Sequence, residues 1–364
     1  MSHAEGAKPG GWGPIEVQRT PSPRALPTGE LGFGRHFTDH MFVAEWTPKE
    51  GWHGLRVMPY GPMQLDPAAA VLHYGQALFD GFKAFRGSDG GIRVFRLDRH
   101  AARMAGGVER MCMPSLDARL IEEGVRALLG ADARWVPAAP SALYLRPTIV
   151  ATEGFLGVRA AERYTFFVIA SPVGSYYAEG ASPVRIWVER EEVRAARGGL
   201  GAVKAAANYA ASLHAAAVAK KRGYAQVLWL DAQEHRYLEE VGTMNVWVHL
   251  GEQVVTPPLE GSILAGVTRD AVLQLLSDWG QRAVQRRITI DELAAAHDRG
   301  QLHEMFGCGT AAVISPIGEL GDGARTMKIN GGVTGPLAQR LYDELTGIQY
   351  AKRPDPHGWM SRVA

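Results

Sequence analysis

The stretch GGLGAVKAAANYAASLHAAAVAKKRG, Gly198–Gly223, sets a single lysine, Lys204, among glycines and alanines and follows it with Asn-Tyr. A lysine on an alanine-rich segment is most simply a solvated charge near a helix end. The segment is not a phosphate loop, because a valine precedes the lysine, and the dinucleotide fingerprint lacks its third glycine. From about Tyr209 the spacing predicts a helix with Tyr209, Leu213 and Ala217 on one face. It would end at Lys220, Lys221 and Arg222, with Gly223 as a left-handed stop. The small neighbours of Lys204 either mean nothing or leave room for something that sits on the lysine.

Outward from this segment, the chain has 364 residues, enough for two domains of ordinary size. Its 39 Lys+Arg against 38 Asp+Glu give a net charge of +1, which argues against nucleic acid or an anionic membrane as partner. Cys112 and Cys308 are the only cysteines, so no disulfide framework or Cys-x-x-Cys site is expected. No signal-peptide pattern opens the chain, and no run approaches the about 20 apolar residues of a membrane span. A cytoplasmic protein is expected. There is no Gly-x-Ser-x-Gly elbow. His303-Glu304 is not completed to a zinc motif, since Gly307 stands where the second histidine belongs, and no metal is expected.

Residues 1–30, rich in Gly and Pro, read as a loose arm. Residues 31–173 alternate strand-like and helical runs: GIRVFRLD, SALYLRPTIVAT and RYTFFVIASPVG as strands, RHAARMAGGVERM as a helix. The Pro, Gly and Ser of SPVGSYYAEGASP mark a linker, placed at 174–182, and a second domain is expected over 183–364. In that half Val272, Leu275, Leu276 and Trp279 fall at helical spacing, with Thr268 as the expected cap and Gly280 as the end.

KAAANYAASL, QVLWLD, EEVGTMNVWV, LAGVTRDAV and MFGCGTAAVISP occur in the order and spacing of the branched-chain amino acid aminotransferases. LHYGQALFDGFKAFRG, RHAARM and YLRP upstream, and GPLAQRLYDELTGIQYAKRPDPHGW downstream, extend the likeness over nearly everything after the arm. The sequence thus resembles a family of class IV aminotransferases that use pyridoxal 5'-phosphate (PLP). The resemblance implies a two-domain α/β enzyme of fold type IV, shared with D-amino acid aminotransferases, with a smaller N-terminal and a larger C-terminal domain. It also implies a homodimer and PLP between the domains.

Residue by residue, the resemblance makes Lys204 the catalytic lysine that carries PLP, and the neighbouring alanines then leave space for a flat ring. Tyr209 would meet the ring phenolate and Glu240 the ring nitrogen. Glu239 is its rival, and strand alternation would send the two to opposite faces. Gly266, Val267 and Thr268 at a helix N-terminus, Thr310 in a second loop and Arg103 would hold the phosphate. Phe79, Tyr144, Arg146, Tyr176, Thr243, Ala311 and Ala312 would meet the substrate, with Tyr74 supplied by a partner chain. The reaction implied is reversible amino transfer between L-leucine, L-isoleucine or L-valine and 2-oxoglutarate. A D-amino acid aminotransferase or an aminodeoxychorismate lyase shares the fold, and a non-catalytic PLP-binding protein is the alternative outside enzymes. Asp80 stands where the family usually has glutamate. Ala312 and Ser315 replace the Cys-x-x-Cys of some animal members, so thiol regulation is not expected.

Overall fold

The computed structural model of the chain describes residues 12–174 and 182–363. It divides into two compact units, one holding residues up to 175 together with 349–364 and the other residues 176–348.

The first unit is built on a nine-stranded sheet. Its order is Glu16–Val17, Gly51–Pro59, His40–Thr47, Tyr164–Val173, Ala142–Ala151, Phe82–Arg86, Ile92–Phe95 and Met360–Arg362, with Ala77–Phe79 paired to Ala142–Ala151. All pairings are antiparallel except the first. Alternation along Ala142–Ala151 puts Leu143, Leu145 and Ile149 on a fully buried face and Tyr144, Arg146 and Thr148 on the other. Two helices, Leu97–Arg110 and Ala118–Asp132, also belong to this unit. The second buries Leu120, Ile121, Val125, Leu128 and Leu129, a 3.6-residue pattern. A Cβ on its Gly124 would lie 2.7 Å from the Phe42 ring, so helix and strand meet as closely as a glycine permits.

Two expectations change here. From residue 12 the arm is tied down rather than loose. Glu16 pairs with Arg56, the Thr20 N–H donates to His40 Nε2 (2.9 Å) and the Arg24 N–H to Asp39 (2.8 Å). The end of the chain, assigned with 183–364, returns to the first sheet. Met360 pairs with Phe95 and Arg362 with Arg93, and the Trp359 ring packs on Phe95. Pairing between segments so far apart in sequence leaves no local signal.

In the second unit six strands close on themselves: Leu238–Val241, Gln226–Leu230, Val184–Glu189, Val313–Asp322, Leu302–Gly309, Met244–Leu250 and back to Leu238–Val241. Gln253–Thr256 and Arg282–Gln285 continue the sheet, and Arg325–Lys328 pairs with Val313–Asp322. Aliphatic side chains from all six strands form one core, among them Ile186, Leu228, Leu238, Val246, Met305 and Leu320. Ile290 and Leu293 of helix Ile290–Asp298 join it.

The lysine segment departs from its expected helix. The structure has two short helices, Ala206–Ala211 and Leu213–Lys221, with Gly223 at φ +82° as the stop. Their buried face is not Tyr209, Leu213 and Ala217. Ala215 and Ala219 pack on Val227 and Trp229, and Leu213 is exposed. Alanine carries too weak a hydrophobic signal for the true face to show in the pattern. Helix Val267–Asp278 buries Val272, Leu275 and Leu276 as the spacing predicts, and Gly280 follows at φ +67°. Its N-cap, however, is Gly266 rather than Thr268, and no side chain caps it.

Candidate functional site

In the second unit the chain turns repeatedly from Gly198 to Lys204 before entering helix Ala206–Ala211. Asn208, one turn into that helix, reaches back with its Nδ2 to the carbonyls of Leu200 (2.8 Å) and Val203 (2.9 Å), so the lysine's position is braced from its own helix. A Cβ on Gly201 would fall 2.2 Å from the Ser262 carbonyl oxygen. The glycine is there because two backbones touch. Lys204 Nζ donates a hydrogen bond to the Tyr209 hydroxyl. The two border an open hollow with Arg194, Glu240, Thr243 and Leu264.

Glu240 is buried and held at both oxygens. Oε1 accepts from the Leu264 N–H at 2.8 Å, and Oε2 lies 3.3 Å from Arg194 Nε. Arg194 also donates from Nη2 to the Ser262 carbonyl. Simple alternation does not separate Glu239 from Glu240. The ladder pairs Leu228 with Val241 but Leu230 with Leu238, so the strand carries one extra residue between them, a β-bulge. Leu238 and Val241 both face the core, and both carboxylates turn to the segment 262–264, Glu239 accepting from the Ser262 hydroxyl. Burial pushes the Glu239 carboxyl above its ordinary range, and the Ser262 hydroxyl and Arg194 only partly offset this. Glu240 is the one of the pair with an arginine nitrogen at 3.3 Å.

Two residues past Leu264 lies Gly266, where a Cβ would fall 1.9 Å from Asn245 Oδ1. Asn245 holds the Leu264 carbonyl (2.9 Å) and pairs in register with both Glu240 and Cys308. Gly266, Val267 and Thr268 therefore start an uncapped helix beside the strand that carries Glu240. Thr310, Ala311 and Ala312 form the turn between Leu302–Gly309 and Val313–Asp322, closed by the pair Gly309–Val313. Val313 adopts φ +63°, a costly conformation for a β-branched residue. Cys308 is buried. Its thiol accepts from Trp247 Nε1 (3.2 Å), and burial pushes its pKa to about 12, in keeping with a small apolar residue.

The first unit gathers a second set. Asp80, fully buried, takes Arg103 in a bidentate grip, Nε to Oδ2 at 2.8 Å and Nη2 to Oδ1 at 2.7 Å. It also meets His100 Nδ1 at 3.0 Å and accepts from the Gly81 N–H at 2.6 Å. Burial opposes its charge, but Arg103 and His100 together outweigh that and hold the carboxyl far below the usual range. Asp80 thus braces Arg103, and two of the five N–H donors of Arg103 are spent on it. Tyr144 lies over Gly81, whose Cβ would fall 1.7 Å from the hydroxyl. Arg146 donates to that hydroxyl at 3.1 Å and covers the Phe79 ring at 4.6 Å. Lys83 is buried on the same face, and burial lowers its pKa to about 8.

The structure thus brings Lys204, Tyr209, Glu240 and Thr243 to one hollow. Phe79, Tyr144, Arg146 and, through Asp80, Arg103 form one cluster in the other unit. Tyr74 lies exposed at the end of helix Ala70–Tyr74, its hydroxyl donating to the Leu156 carbonyl. Tyr176 lies outside the described residues. Sequence reasoning missed Arg194 and Asn208, and it singled out Asp80 without its grip on Arg103. Their contacts cross turns and strands, and only Asn208, beside the lysine, had a readable position.

The family description Amino-transferase class IV matches residues 77–320. The chain is 48% identical over 351 residues to branched-chain-amino-acid aminotransferase 2 of Bacillus subtilis, covering 96% of each protein. It is 48% identical over 340 residues to the branched-chain-amino-acid aminotransferase of Mycobacterium tuberculosis, covering 92% of each. Among solved structures, the Escherichia coli branched-chain amino acid aminotransferase superposes with a TM-score of 0.73 at 24% identity, over 88% of this chain and 99% of that one. The branched-chain aminotransferase of Thermoproteus uzoniensis with norvaline also gives 0.73 at 24%, over 89% and 100%. At these identities the structures speak to the fold.

Proposed function

The chain belongs to the class IV aminotransferases, within the branched-chain-amino-acid aminotransferases, and we propose that it exchanges amino groups between L-leucine, L-isoleucine or L-valine and 2-oxoglutarate. The observation that carries this is the Lys204–Tyr209 pair beside Glu240 in one hollow. The cofactor of the class is PLP, and the second unit's residues fit it. An amine, a phenol and a buried carboxylate border the hollow, and an uncapped helix N-terminus with its donor N–H groups begins two residues past Leu264. When bound, PLP supplies a sink for the electron pair left when a substrate α-proton departs.

The chain's own residues divide the remaining work. Lys204 Nζ would hold the cofactor, and the same amine is placed to take the substrate α-proton and return it. Tyr209 accepts from that nitrogen and fixes its direction. Glu240, held by Arg194 and the Leu264 N–H, favours a proton on a ring nitrogen beside it. The N–H groups of Gly266, Val267 and Thr268, with Thr310 and Arg103, would bind the phosphate. Phe79, Tyr144, Arg146, Tyr176, Thr243, Ala311 and Ala312 are proposed for the substrate.

With L-leucine and no 2-oxo acid, the purified holoenzyme is expected to release one equivalent of 4-methyl-2-oxopentanoate per active site and stop. Catalytic release without an acceptor, or none at all, would overturn the reading.

The protein is proposed to be a cytoplasmic homodimer. No described helix is long and apolar enough to cross a membrane. Leu72, Tyr74, Phe155 and Leu156 are exposed together on segments joined by the Ala69–Gly154 bridge, an apolar patch suited to a second copy. Light scattering is expected to give twice the chain mass, falling to the chain mass for Leu156→Arg. A monomeric parent would contradict the proposal.

A further inference from the structure

Arg269 is a buried cation that the reaction above does not use. It is 3% exposed and stands in the first turn of helix Val267–Asp278, where the dipole already places positive charge. Its Nη2 donates to the Pro257 carbonyl (3.0 Å) and to Gln285 Oε1 (2.8 Å), both neutral acceptors. Its Nε is buried with no hydrogen-bond partner, and no carboxylate among the described residues forms an ion pair with it. The adjacent, exposed Asp270 and the Cys308 thiol favour its charge, but burial outweighs both and pushes the guanidinium pKa down. A cation without a counter-ion, at the wrong end of a helix dipole and out of water, costs the fold free energy. An anion at the helix start offsets that cost.

We propose that Arg269 is the buried counter-charge of a phosphate seated at Gly266–Thr268, and that it makes the site select a phosphorylated cofactor over its unphosphorylated form. This deepens the transaminase reading and rests on it. The N–H groups at the helix start meet the phosphate directly, whereas Arg269 acts on it across the turn. Three positions along a helix span about 4.5 Å, inside the about 8 Å over which physiological salt screens charges, and burial weakens the screening further. The same field reaches the strand that leads into Thr310, since Arg269 and the Cys308 thiol shift one another's titration. Arg269 is thereby a specificity-determining residue rather than a catalytic one.

The test is calorimetric titration of the full chain, freed of cofactor at pH 7.5, with pyridoxamine 5'-phosphate and with pyridoxamine, neither of which bonds covalently to Lys204. The quantity read is the preference for the phosphorylated form, the ratio of the two dissociation constants. Arg269→Gln is expected to lower that preference about tenfold or more, with pyridoxamine binding unchanged, while Arg269→Lys, which keeps the charge, stays within about threefold of the parent. Gln285→Glu leaves Arg269 in place and gives it a carboxylate partner. It is expected to fold at least as stably as the parent and to lower the preference about tenfold, an effect that a merely structural arginine would not produce. Should Arg269→Gln fail to fold, Gln285→Glu decides. A parental preference in Gln285→Glu, or equal losses in Arg269→Gln and Arg269→Lys, overturns the proposal. Inorganic phosphate separates this from the wider reading. A parent that fails the leucine half-reaction, yet binds phosphate more weakly once Arg269 is Gln, would remove the transaminase reading and leave the anion site standing.

Discussion

Lys204→Ala is expected to fold as the parent does and to lose leucine–2-oxoglutarate transamination by at least about 10³-fold. The lysine is half-buried in a turn, and the Asn208 bonds that brace this turn do not involve its side chain, so removing the amine opens no core. What goes is the only amine among the described residues bordering the hollow, together with the hydrogen bond to Tyr209. The checks are a melting temperature within a few degrees of the parent and a steady-state rate. Partial recovery on adding a small primary amine would mark the defect as chemical. Near-parental turnover would remove Lys204 from the mechanism.

Asp80→Asn is expected to cost the protein about 3 kcal/mol, because it leaves Arg103 and His100 facing a neutral amide in a buried place. For a unit of this size that corresponds to a fall in melting temperature of roughly 6–12 °C. The pH dependence follows from the direction of the shift. The folded carboxyl is depressed, so its contribution to stability is fully present above the unfolded value of about 3.9 and is lost only as pH falls through the much lower folded value. The gap between parent and variant should therefore be constant from pH 7 to about pH 5 and narrow only in stronger acid. Equal melting temperatures at pH 7 would show that Asp80 does not carry this load.

The features legible in the sequence were those whose signal is local. Helix Val267–Asp278 announced itself by spacing, and its glycine stop by a requirement for positive φ. The arm and the C-terminal strand were misjudged because their partners lie far away in the chain, where neither composition nor periodicity reports them. The buried face of Leu213–Lys221 was missed because the packing residues are alanines.

For the candidate site, the sequence by itself determined which chemistry-bearing residues exist and in what order: Lys204 with Tyr209 five residues on, the Glu-Glu pair, and a helix start at Gly266. Only the tertiary structure decided which of them act together and what holds them. The bulge turned Glu239 and Glu240 the same way, and Arg194 then distinguished the second of them by a guanidinium 3.3 Å away. Asp80 became the anchor of Arg103. The reason is physical. A residue's type and its near neighbours are written in the chain, whereas charge pairing, burial and cross-strand register depend on contacts between distant segments, which exist only once the sheets have closed.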